Sequence, residues 1–83
     1  MMTLREQLIL VSDSFGLARG LGRQRVSTMV LNRGPTLDGV ARGEKDVTTG
    51  TFERAMQWFS DNWPEDTEWP RDVRRPERAR EAA

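Results

Sequence analysis

The chain has 83 residues, of which 36% are hydrophobic and 31% charged, with no net charge. This bounds it to one small domain with a modest core, for which pairing with a second copy is a natural source of stability. It contains no Cys, His or Tyr, so disulfides, thiolate and imidazole chemistry and most transition-metal donors are excluded.

The first element expected is a helix over residues 3–19. Leu4, Leu8, Val11, Phe15 and Ala18 recur at helical spacing, and Thr3 with Glu6 has the form of a capping box. Gly16 inside this stripe leaves open one long helix or two shorter ones meeting near Ser12–Ser14. Gly20-Leu21-Gly22 reads as a turn, with Gly20 able to end the helix in the left-handed conformation. A second helix follows over about residues 23–32 and is stopped by Asn32-Arg33-Gly34-Pro35. Residues 36–41 have the spacing of a short helical turn capped by Thr36, and residues 43–46 of a loop.

The last helix is expected over about residues 50–63, with Phe52, Met56, Phe59 and Trp63 as its core stripe and Thr49 or Thr51 as its cap. Pro64 ends it. Trp63-Pro64-Glu65-Asp66 is echoed by Trp69-Pro70-Arg71-Asp72, an extended return over the core with Trp69 as its anchor. The fold class expected is therefore all-α, a small helical bundle with an extended C-terminal tail. The domain is placed at residues 1–70, and the Arg-rich stretch 71–83 is expected to be disordered.

Charge is unevenly spread. Residues 1–43 carry a net +3, residues 44–69 a net −5 and residues 70–83 a net +2. A basic front is what a face that meets an anion requires. On a helical wheel of about 100° per residue with Val26 pointing inward, Met29 and Val30 join it. Gln24, Thr28 and Leu31 fall opposite, flanked by Arg25, Ser27 and Asn32, and Arg23 sits at the N-terminal end. Such a face is rich in groups that read base edges: Arg on guanine, Gln on adenine, Ser or Thr on either. Two arginines at the positive end of a helix are locally unfavourable, which points to an anionic partner.

Residues 12–32, SDSFGLARGLGRQRVSTMVLN, resemble the helix-turn-helix of λ-repressor-like, Cro-like and lac-repressor-like transcription factors. The likeness rests on Phe15 and Gly16, on Gly20-Leu21 in the turn, and on Val26-Ser27 with the apolar pair Met29 and Val30. It implies a sequence-specific DNA-binding regulator whose second helix enters the major groove. By position, base contacts fall on Arg23, Gln24 and Thr28, Ser27 falls on phosphate, and Arg25 on either a base or a phosphate. Further phosphate contacts are expected from Arg19, Arg33, Arg42 and Lys45. The expected partners are double-stranded DNA and a second copy of the chain.

Other patterns read more plainly. Gly20-x-Gly22 lacks the third glycine and preceding strand of a dinucleotide loop, and the acids at 61, 65, 66 and 68 lack the spacing of a calcium loop. No metal, cofactor or catalytic group is expected. Trp58 lies off the apolar stripe of its helix, so it is covered either by Trp69 or by a partner surface. A Trp-rich 58–70 segment that covers another regulatory protein, as in the antidote half of a toxin pair, is the alternative function. With no membrane-length apolar run and no leader pattern, a cytoplasmic, nucleoid-associated place is expected.

Overall fold

The computed structural model describes residues 2–79. Those residues form four α-helices and no strand: α1 (Leu4–Arg19), α2 (Arg23–Leu31), α3 (Thr36–Ala41) and α4 (Thr49–Asn62). None is long and apolar enough to cross a membrane.

Helix α1 is continuous. The capping box at its start is complete: the Thr3 N–H donates to Glu6 Oε1 (2.8 Å) and the Glu6 N–H to Thr3 Oγ1 (3.1 Å). Leu8, Val11 and Phe15 are buried, while Leu4 and Ala18 at the ends of the stripe overhang the core and are exposed. Gly16 does not break the helix because a close approach needs it. A Cβ there would lie 2.6 Å from the Leu21 carbonyl oxygen and 3.3 Å from Val26 Cγ2. Gly20 ends α1 in the left-handed conformation (φ 70°), and the Leu21 N–H then donates to the Gly16 oxygen at 2.7 Å.

Helix α2 is held on one side by Val26, which is fully buried, and on the other by Ser27. The Ser27 hydroxyl donates to the Arg33 carbonyl and accepts from the Leu37 N–H (3.1 Å), so it fixes the loop between α2 and α3. Asn32 ends α2 with φ 63°, a left-handed position that Asn tolerates. Helix α4 is capped by Thr48 and not by the expected Thr49 or Thr51: the Thr51 N–H donates to Thr48 Oγ1 at 3.2 Å. Trp63 leaves the helix in an extended conformation, as a residue before proline prefers.

The core gathers around Phe15. Its ring centroid lies 5.4 Å from Phe59, 5.4 Å from Trp58 and 6.0 Å from Trp63. Val26 from α2, Leu37 from α3 and Ala55 and Met56 from α4 complete it.

The expectation of a disordered tail from residue 71 needs correction over residues 71–79, which pack back along α4. Val73 is buried in the core. Trp69 Nε1 donates to the Val73 carbonyl at 2.8 Å. Ser60 Oγ donates to the Pro76 carbonyl, and Arg75 donates back to Ser60 Oγ (3.1 Å) and to the Ser60 carbonyl (2.8 Å). Gln57 donates to the Glu77 carbonyl, and the Ala79 N–H donates to Asp61. One apolar side chain and a set of backbone hydrogen bonds order a stretch that its composition describes as solvated. The domain boundary at residue 70 falls inside this packed segment, and residues 80–83 lie outside the described residues.

Candidate nucleic-acid interface

The surface of α2 follows from what buries it. Its inward direction lies between Val26, which faces α1, and Ser27, which faces α3, rather than on Val26 alone. The outward face therefore centres on Arg25, Thr28 and Asn32, with Gln24 at one edge and Met29 at the other, and all five are exposed. Met29, expected inside, is 40% exposed, and Leu31, expected outside, is half-buried against the core. Gln24 and Thr28 stand beside Gly34, where a Cβ would come within 3.8 Å of Gln24 Cγ and 3.4 Å of Thr28 Oγ1. Thr28 donates to the Gln24 carbonyl (3.1 Å), which leaves its oxygen lone pairs facing solvent.

Two sequence-derived roles need correction. Ser27 is fully buried and both its hydrogen bonds are spent inside, so it does not reach a phosphate. Arg23 is not a free base reader either. Its Nε and Nη2 make a paired contact with Asp13 of α1 (3.0 and 2.7 Å), and Nη1 reaches Asp38 of α3 at 3.2 Å. The hydrogen bonds it donates to Asp13 hold the guanidinium protonated even more firmly than usual, and the Asp13 and Asp38 charges act in the same sense against partial burial. Arg23 thus ties three helices together at the start of α2. Sequence spacing could not show this, because the two carboxylates come from helices on either side.

Of the other cations, Arg19 is exposed with its guanidinium carbon 5.9 Å from the Phe15 ring centroid. Arg42 is exposed and lies 3.3 Å from Glu44. Arg33 and Lys45 come together. With Arg54, which the sequence reading left unassigned, they line a cleft of about 530 Å³ between the end of α2, the start of α3 and the first turns of α4. Arg54 lies off the apolar stripe of α4, which marks it as outward-facing. Its neighbours depend on how α2 and α4 pack, which spacing does not reveal. Among the described residues, no three metal-ligating side chains come together.

Trp58 and Trp69, the expected partner surface, are half-buried and occupied within the chain. Trp58 packs edge-on against Phe15 and Phe59 (5.4 and 5.5 Å). Trp69 lies 4.7 Å from Trp63 with Arg75 over its ring. The ring partners of Trp58 are thus Phe15 and Phe59 and not Trp69, one of the two covers expected for it. No protein-family model, no curated protein and no solved structure matches the chain.

Proposed function

We propose that this domain is a sequence-specific regulator of transcription that binds double-stranded DNA through a helix-turn-helix, with α1 and α2 as its two helices, in the manner of λ-repressor-like proteins. The observation that carries this reading is the uncovered polar face of α2. Gln24, Arg25 and Thr28 stand out from its first turns with nothing packed over them. Arg25 has no ion-pair partner among the described residues. A nine-residue helix is about 13 Å long, enough to lie across the major groove with its N-terminal turns against base edges. The tight joint at Gly16, Gly20 and Val26 supports the same reading, because it holds α2 rigidly on α1.

In this reading Arg25, Gln24 and Thr28 read bases, and Asn32 extends the reading face. Arg19, Arg33, Arg42 and Lys45 meet phosphates. Arg23 positions α2 through Asp13 and Asp38. A homodimer reads two half-sites about 34 Å apart. The domain measures 36 × 27 × 24 Å, so two copies side by side span one turn of duplex. This is the behaviour of a cytoplasmic protein associated with the nucleoid. The antidote-like alternative is less favoured, because the tryptophans it relies on already serve the chain's own core.

Selection of bound sequences from a random duplex pool tests the proposal. The expected result is a short preferred site. Arg25→Ala should lower affinity for that site by 5- to 150-fold, about 1–3 kcal/mol, and relax preference at one base pair. A pool that emerges unenriched would overturn the reading.

A further inference from the structure

Arg33, Lys45 and Arg54 line one cleft between the end of α2, the start of α3 and the first turns of α4. Unlike Arg23, paired with Asp13 and Asp38, Arg42 with Glu44 and Arg71 with Glu68, the cations of this cleft stand without a carboxylate. These three cations have no ion-pair partner among the described residues, and no carboxylate lines the cleft they share. Thr36 and Thr51 add hydroxyls, and Ala55 lies in its apolar lining.

Two of the cations are held in place. The methylenes of Lys45 lie across α3 at Gly39, where a Cβ would meet Lys45 Cδ at 2.8 Å and Cγ at 3.0 Å. The Lys45 N–H is anchored to the Gly39 carbonyl at 3.1 Å. Arg54 Nη2 reaches Thr51 Oγ1 at 3.4 Å, and that oxygen accepts from Thr48 Oγ1 at 2.9 Å. Three like charges converging on one cleft repel one another unless an anion joins them. Two guanidinium forks and an ammonium are the donors that phosphate oxygens take.

We infer that the Arg33–Lys45–Arg54 cleft is a phosphate-binding site, adjoining the base-reading face of α2 at Asn32. Its ligand is a phosphate group, either of the DNA backbone or of a free phosphate ester. The backbone case rests on the DNA reading above, and the free case does not.

The test uses the full chain and two variants at exposed positions, Arg54→Gln and Lys45→Gln, with helix content checked by circular dichroism. Binding to a duplex bearing the selected site and to an unrelated duplex is measured across a range of salt. If the cleft holds a backbone phosphate, each variant weakens both duplexes by the same factor and makes the slope of log affinity against log salt shallower by about one. In parallel, inorganic pyrophosphate is titrated against the wild-type chain while the Arg33 and Arg54 side-chain N–H signals are followed by NMR. Saturable shifts that both variants abolish, with duplex binding unchanged, assign the site to a free phosphate ester. Wild-type duplex affinity and slope in both variants, together with no pyrophosphate response, overturn the site. The DNA reading then stands or falls separately on Arg25→Ala and the selected sequences.

Discussion

Ser27 and Ser12 are both buried, yet only Ser27 has its hydroxyl answered. Ser27 serves the Arg33 carbonyl and the Leu37 N–H, whereas Ser12 Oγ has no hydrogen-bond partner among the described residues. Ser27→Ala strands two backbone groups and should destabilise the fold by about 1–3 kcal/mol, whereas Ser12→Ala removes an unpaired hydroxyl and should stabilise it by about 1 kcal/mol. Urea unfolding of the two variants, read against wild type, should shift the midpoint in opposite directions. Gly16→Ala is a third case at this scale. Ala favours a helix by up to about 1 kcal/mol, but its methyl would press on the Leu21 carbonyl at 2.6 Å, which is backbone and yields little. A net loss of about 1–3 kcal/mol is expected in thermal or urea unfolding, and a more stable variant would show that the joint between α1 and α2 is loose.

The elements differ in how far the sequence reveals them. The stripes of α1 and α4 and the turn at Gly20 are legible, because apolar spacing and capping residues act locally. Whether α1 is one helix or two is not, since Gly16 is tolerated only through an approach made by Val26 from the next helix. The facing of α2 is misjudged for a similar reason. Its inward side is shared between an apolar Val26 and a polar Ser27, and an apolar count sees only the first. Likewise Arg23, an open donor in the sequence, is committed to two carboxylates brought in by α1 and α3. At the start of α1, hydrogen bonds from Thr3 hold the Glu6 carboxyl below its ordinary 4.5. Since the folded value is the lower one, the charged carboxylate supports the cap above the unfolded value, and that support fades as pH falls through the folded value. Amide exchange in the first turn of α1 should therefore loosen, relative to the rest of the helix, as pH falls below 4.5, and Glu6→Gln should flatten the effect. Equal loosening of all four helices would reject a local cause.

For the molecule as a whole, the last wall of the core comes from the segment that follows α4. Val73 closes it, Trp69 lies against Trp63, and Arg75 is fastened to Ser60. Composition alone describes residues 71–79 as a solvated chain, because the order depends on one valine and on carbonyl groups, which leave no mark in a residue count. Val73→Ala should cost roughly 2 kcal/mol, a large share of the stability of so small a domain, and tryptophan fluorescence during urea unfolding would register it. An unaltered midpoint would mean that the segment rests on the surface without supporting it.

This arrangement bears on how the polypeptide is made. A ribosome that has released α1 to α4 but still holds Val73 and Arg75 leaves the core without its last apolar side chain and Ser60 without its partner. The nascent domain is thus left with a greasy flank until residue 75 has left the exit tunnel. Closure is late, and a released product truncated before residue 75 would be prone to capture by chaperones or to clumping.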